Sequence, residues 1–141
     1  MICVDASLAA KWIIAEEYSD RALALLATWI ADGERICAPS FLTIEVTNII
    51  RRRMLREGVT LPQAQRLLRQ FLAFPITPVA PAGLYERALA LAEEHQLPAV
   101  YDAHYVAVAE LLECELWTND RRLLRALDGK LPFVKWIGDL P

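Results

Sequence analysis

Long apolar runs are missing from this chain of 141 residues: the longest uninterrupted one is Ala22–Ala27, far short of the roughly 18 residues of a membrane-spanning helix. The opening Met1-Ile2-Cys3-Val4-Asp5 has neither a basic leader nor a long apolar stretch, so no signal peptide is expected. Cysteine is scarce, and Cys3, Cys37 and Cys114 form no CxxC or zinc-type spacing. The expectation is three small buried hydrophobes in a reducing cytoplasm. Gly and Pro number five and eight without a period, which excludes collagen-like and low-complexity chains. No GxxxxGK[ST] occurs, so there is no P-loop. There are three lysines and no acid pair at the start, against a receiver domain, and Ser7 stands where a haloacid-dehalogenase-type enzyme needs its second Asp.

What is present is apolar surface. Hydrophobic residues make up 55% and charged residues 23%, which excludes a disordered linker. The length predicts a single domain over 1–141. A mean hydropathy of +0.26 fits either an Ala- and Leu-rich core or an apolar surface reserved for a protein partner. Net charge is −3, no general case for nucleic-acid binding. The basic residues are unevenly spread, however: Arg51, Arg52, Arg53 and Arg56 cluster, as do Arg121, Arg122 and Arg125.

Short β-type runs are predicted at Ile2–Val4, Arg35–Ala38, Ile76–Val79, Glu115–Thr118 and Phe133–Trp136, with Pro78 arguing for an edge strand. Between them lie helical patterns. Ser7 is a candidate cap for a helix bearing Leu8, Trp12 and Ile13. Ser19 opens a helix with Leu23, Leu26 and Ile30, stopped at Gly33. Ser40 opens a long helix to Glu57 bearing Phe41, Leu42, Ile44, Ile49 and Leu55, stopped at Gly58. Thr60-Leu61-Pro62-Gln63 is a capping box. Further helices are expected over Ala82–His95, from Asp102, and over Asp120–Leu127. This alternation predicts an α/β domain with a parallel sheet.

Sites in such sheets form beyond the carboxyl ends of the strands. Asp5 follows the first strand directly, Asp120 follows the fourth with only Asn119 between, Asp102 opens a helix, and Glu45 sits among Phe41, Leu42, Ile44 and Val46. Alone, Asp102 and Asp120 read as caps and Glu45 as an ion-pair partner, whereas Asp5, directly after a buried strand, would pay desolvation as a lone carboxylate. Together they predict a carboxylate cluster that needs neutralising by a hard cation such as Mg²⁺ or Mn²⁺. Without these four the net charge of −3 becomes +1, which suits metal-assisted cleavage of a phosphodiester. Arg52 is seven residues after Glu45, on nearly the same helical face. Arg51 and Arg53 point elsewhere.

Val4-Asp5-Ala6-Ser7, Pro39-Ser40 with Glu45-Val46-Thr47-Asn48, Tyr101-Asp102-Ala103-His104-Tyr105, and Thr118-Asn119-Asp120-Arg121-Arg122-Leu123 resemble, in order, the four motifs of PIN-domain ribonucleases. The size and Lys11-Trp12 are most similar to VapC-type toxins of toxin–antitoxin pairs. The resemblance implies a PIN-like fold, with a central parallel sheet of four to five strands flanked by helices. It implies a cytoplasmic Mg²⁺- or Mn²⁺-dependent endoribonuclease acting on structured RNA (tRNA or rRNA), a homodimer without membrane association, and neutralisation by a cognate VapB-type antitoxin. Asp5, Glu45, Asp102 and Asp120 would be catalytic metal ligands, supported by Ser7, Asn48 and Thr118. Arg52 and Arg121 are the candidate RNA contacts. The family uses no histidine at the position of His104, so no general base is assigned there. The alternative is a catalytically silent PIN-like module that binds RNA or a partner.

Overall fold

A computed structural model describes residues 1–141. Strands β1 (Ile2–Val4), β2 (Ile36–Ala38), β3 (Ile76–Pro78), β4 (Glu115–Thr118) and β5 (Val134–Trp136) alternate with helices α1 (Ala6–Ala9), α2 (Ser19–Ala31), α3 (Leu42–Glu57), α4 (Leu61–Leu72), α5 (Leu84–Glu94), α6 (Val100–Leu111) and α7 (Arg121–Leu127). Short 3₁₀ turns follow α1 and β5. The strands form one fully parallel sheet in the order β3-β2-β1-β4-β5. β3 lies at its edge, where Pro78 removes no ladder hydrogen bond needed by an inner neighbour.

The order reverses between β1 and β4. From β1 the chain builds outward through β2 and β3, then returns to lay β4 and β5 on the opposite side. Such a switch point leaves a crevice beyond the carboxyl ends of the two diverging strands. Val4 is in register with Trp117, so Asp5 and Thr118 emerge side by side at that crevice.

Helix α6 packs on β1 and β4 while α5 covers its other side. Ala103 and the run Tyr105–Ala109 are therefore all buried. The alanines let α6 approach the sheet closely, and each buried Val contributes about 1.5–3 kcal/mol. Helix α5 buries Leu84, Ala88 and Leu91 on one stripe, as its spacing predicts. The capping box at Thr60 and Gln63 forms with both of its hydrogen bonds. Gly58 closes α3 at φ +68, a backbone conformation that disfavours a side chain.

Several expected details differ. Asp5, rather than Ser7, caps α1. Helix α3 starts at Leu42 after Phe41, with no side-chain cap from Ser40. Asp102 lies in the first turn of α6, which begins at Val100. Leu23, Ile30, Ile44 and Leu55 are exposed, and the buried stripes are instead Ala22, Leu26 and Trp29 on α2 and Leu42, Val46 and Ile50 on α3. Cys3 and Cys37 are buried register partners on β1 and β2, and Cys114 is half-buried; all three are free thiols. No helix is long and apolar enough to cross a membrane.

Candidate active site

Asp5 is the centre of a set of hydrogen bonds that joins the ends of β1 and β4. It is 3% exposed. Its Oδ1 accepts from the Ser7 hydroxyl at 2.7 Å and from the Leu8 backbone N–H at 2.9 Å, and its Oδ2 accepts from the Thr118 hydroxyl. Ser7 Oγ in turn accepts from the Asn119 N–H at 2.9 Å, and Thr118 Oγ1 accepts from the Asp120 N–H at 2.9 Å. Ser7 and Thr118 thus fix the carboxylate while shaping the loop that delivers Asp120. Burial pushes the Asp5 carboxyl up to about 6, against the hydrogen bonds that favour its charged form, and the nearby Asp102 adds repulsion.

The other three acids arrive from separate helices. Asp120 caps α7, its Oδ1 accepting from the N–H groups of Arg122 at 2.8 Å and Leu123 at 3.3 Å. Asp102 is raised above the ordinary aspartate range by burial and by the facing Asp120. Glu45, on α3, accepts a 2.9 Å hydrogen bond from the Tyr105 hydroxyl. Burial raises its carboxyl and Asp102 adds to this, whereas Tyr105 and the Arg52 guanidinium pull it back.

Asp5, Glu45, Asp102 and Asp120 line one cleft of about 170 Å³, together with Ser7, Ile49, Arg52 and Tyr105. Four segments that are far apart in sequence therefore meet beyond the β1 and β4 ends. The α3 residues in the cleft, Glu45, Ile49 and Arg52, are spaced i, i+4, i+7 and share a stripe. Asn48 does not join them. It is exposed, about 60° around the helix from Glu45 at 100° per residue, and hydrogen-bonds to none of the acids. Arg51 faces a separate apolar groove between α3 and α4.

Arg121 also lies outside the cleft, with its guanidinium over the Trp136 ring at 5.0 Å and 3.3 Å from the Tyr18 hydroxyl. His104 is tied at Nδ1 to the Val100 carbonyl at 2.6 Å and packs edge-on against Phe41, away from the acids. Tyr105 was not among the candidate site residues. Its signal was available in principle: a tyrosine three residues after Asp102 shares its helical face, and a buried hydroxyl needs an acceptor. Only the fold shows that Glu45 supplies it.

The cleft's charged lining is four carboxylates and one guanidinium, with no cysteine or histidine. All-oxygen donor sets suit hard divalent cations. No three of the acids are drawn together into a ready-made cage, and a cation such as Mg²⁺ characteristically keeps several waters and uses few direct carboxylate ligands.

Comparison with known proteins agrees with this architecture. The PIN domain family matches residues 2–130. The chain is 31% identical over 134 residues to the VapC ribonuclease Mb0985 of Mycobacterium bovis, covering 95% of this chain and 97% of that protein. It is equally similar to ribonuclease VapC9 of Mycobacterium tuberculosis. Among solved structures, PAE2754 from Pyrobaculum aerophilum superposes with a TM-score of 0.67 at 25% identity, covering 97% of this chain and 89% of that one. A chain of a toxin–antitoxin complex from Klebsiella pneumoniae gives 0.67 at 21% identity, covering 96% of each, and shares the fold. With a five-stranded parallel sheet, the acids at its switch point and a family match spanning nearly the whole chain, this protein belongs to the PIN domain family.

Proposed function

We propose that this protein is an Mg²⁺- or Mn²⁺-dependent endoribonuclease toxin that hydrolyses a phosphodiester in structured RNA, tRNA or rRNA, and is neutralised in the cytoplasm by a cognate VapB-type antitoxin. The observation that carries the reading is the meeting of Asp5, Glu45, Asp102 and Asp120 in one cleft, three of them with carboxyls pushed up by burial. The similarity to VapC ribonucleases over 95% of the chain supports it.

Asp5, Glu45, Asp102 and Asp120 would hold the divalent ion, directly or through water. The chemistry such an ion supplies is Lewis-acid stabilisation of charge on the reacting phosphate. Ser7 and Thr118 hold the Asp5 carboxylate in one orientation, and Tyr105 does the same for Glu45. Arg52, exposed on the cleft wall without a salt bridge, would contact a non-bridging phosphate oxygen. In-line attack by water leaves a 5′-phosphate and a 3′-hydroxyl.

The decisive experiment incubates the purified chain with total RNA in EDTA, Mg²⁺ or Mn²⁺ and sequences the new ends. Cleavage confined to the divalent-ion reactions, lost in Asp5→Asn, is expected. A wild-type chain that binds Mn²⁺ but cuts nothing, or one that neither binds nor cuts, would leave the catalytically silent module as the better reading. Mn²⁺ binding is followed by melting temperature, since an ion that binds only the folded state stabilises it. A rise of several degrees in the wild type should be nearly absent in Asp5→Asn/Asp120→Asn.

The antitoxin is proposed to lay an apolar helix into the groove between α3 and α4, lined by Ile50, Met54, Leu61 and Leu68. A folded Leu68→Glu variant that still cleaves RNA but escapes the antitoxin is expected. A homodimer is proposed through the exposed Ile44, Tyr85, Leu89 and Tyr101. Phe41 and His104 tie this patch together: Phe41 packs edge-on to Tyr101 and His104, and His104 to Tyr85. Tyr85→Glu should give a folded monomer by light scattering.

A further inference from the structure

A second depression adjoins the carboxylate cleft. It is an open trough of about 500 Å³ walled by Tyr18 and by Arg121, Arg122 and Arg125 of α7, and it shares Ser7 and Asp120 with the cleft. The two spaces therefore adjoin at the end of β4. The three arginines form no ion pair, although Glu17 also lines the trough. Elsewhere in the chain, Arg53 and Arg87 are each locked to two carboxylates.

The arginines of the trough differ among themselves. Arg121 is engaged with the Trp136 ring and the Tyr18 hydroxyl, and Tyr18 itself packs edge-on to Trp136 with Arg21 over its ring. This assembly forms one wall of the trough. Arg122 and Arg125 are exposed and their side chains make no hydrogen bond. Two guanidiniums without a side-chain partner, in a depression that shares Ser7 and Asp120 with the acidic cleft, suit an anionic chain that reaches both, and guanidinium forks match phosphate geometry.

We propose that this trough binds the sugar–phosphate backbone of a single RNA strand leaving the carboxylate cleft, with Arg122 and Arg125 as the phosphate contacts and Arg121 in the wall. The inference rests on the endoribonuclease reading for the identity of its ligand. It adds to that reading a path for the strand, and it places the main contacts one and four residues beyond Arg121.

The test measures binding of a fluorescein-labelled ten-nucleotide single-stranded RNA by anisotropy in EDTA, so that cleavage plays no part. Arg122→Ala/Arg125→Ala should weaken binding roughly tenfold or more at 50 mM salt. It should also flatten the plot of log K against log salt by about 1.4, or about 0.7 per lost phosphate contact on a single strand. Arg66→Ala/Arg69→Ala, which removes equal charge from exposed positions on α4, should change neither. Equal weakening by both pairs would overturn the proposal, because the effect would then be net charge alone. So would unchanged RNA binding with loss of an acidic peptide, which would make the trough a protein-docking site. If the wild type cuts no RNA with Mn²⁺ yet the Arg122/Arg125 pair still sets the salt slope, the nuclease reading fails and the trough stands. If the wild type cuts and the pair binds normally, the trough alone fails.

Discussion

The carboxylate cleft and the arginine trough share Ser7 and Asp120 but are built in opposite ways. The cleft draws one acid from each of four segments. Its central member, Asp5, is buried, and both of its oxygens accept hydrogen bonds, from Ser7, Leu8 and Thr118. The trough takes its three arginines from one seven-residue helix, all of them exposed and two without any side-chain partner. A buried charge has to be satisfied by its surroundings, so the cleft depends on the whole fold. An exposed guanidinium is satisfied by water, so the trough needs little more than a helix with Arg at the right spacing. Removing a cleft residue should cost RNA cleavage far more than removing a trough residue.

The largest expected effect is on chemistry. Asp5→Asn should slow Mn²⁺-dependent RNA cleavage by more than the roughly 10–100-fold typical of residues that only orient a ligand. A loss no greater than that of Arg122→Ala/Arg125→Ala would erase the contrast between the two regions.

Next come the supporting groups. Ser7→Ala and Thr118→Val should each fall within that roughly 10–100-fold range, because each frees one side of the Asp5 carboxylate. Asn48→Ala should leave single-turnover cleavage nearly unchanged, since Asn48 lies off the cleft. A large loss in Asn48→Ala would show that the site reaches further along α3 than its lining.

The third effect is on stability. The Asp5 carboxyl is raised from 3.8 to about 6. Between these values the folded protein holds a proton that the unfolded chain has released, so its stability falls as pH rises through the window and stays low above it. With about 1.4 kcal/mol per pKa unit, Asp5→Asn should stabilise the ion-free protein on the order of 1–3 kcal/mol at pH 7 and hardly at all at pH 4. Urea melts in EDTA at the two pH values measure this. A variant destabilised equally at both would mean that the hydrogen-bond geometry of Asp5, rather than its charge, dominates.

The smallest effect separates two neighbours. Arg52 lines the cleft while Arg51 faces the α3–α4 groove. Arg52→Ala should reduce cleavage several-fold more than Arg51→Ala under identical salt. Equal losses would show that both act through general charge.

Much of the local structure was legible because local physics decides it. Thr60 and Gln63 satisfy each other's orphan backbone groups whatever surrounds them, Gly58 ends α3 because it tolerates φ +68, and Pro78 is compatible with an edge strand. Periodicity was less informative about orientation. On α3, Ile44 and Leu55 fit an apolar helical pattern as well as Val46 and Ile50 do, yet only the latter stripe is buried, on a helix that packs against α1 and α4. Cap assignment failed where two polar residues competed. Asp5 has the extended backbone that an N-cap requires, with φ −98 and ψ 174, so Ser7 falls inside the helix and turns its hydroxyl back onto Asp5.

By itself, then, the sequence determined which residues carry charge and roughly where each element begins: acids just after strands one and four, an acid and an arginine two turns apart on one helix, and arginines on the last helix. The tertiary structure decided what these acids and arginines meet. Laying β4 beside β1 brings Thr118 onto Asp5 across more than a hundred residues, and packing α6 beside α3 gives the Tyr105 hydroxyl to Glu45. The same packing leaves Asn48 in solvent, outside the cleft that Glu45, Ile49 and Arg52 line. Contacts of this kind depend on distances across the fold, and spacing along the chain does not encode them.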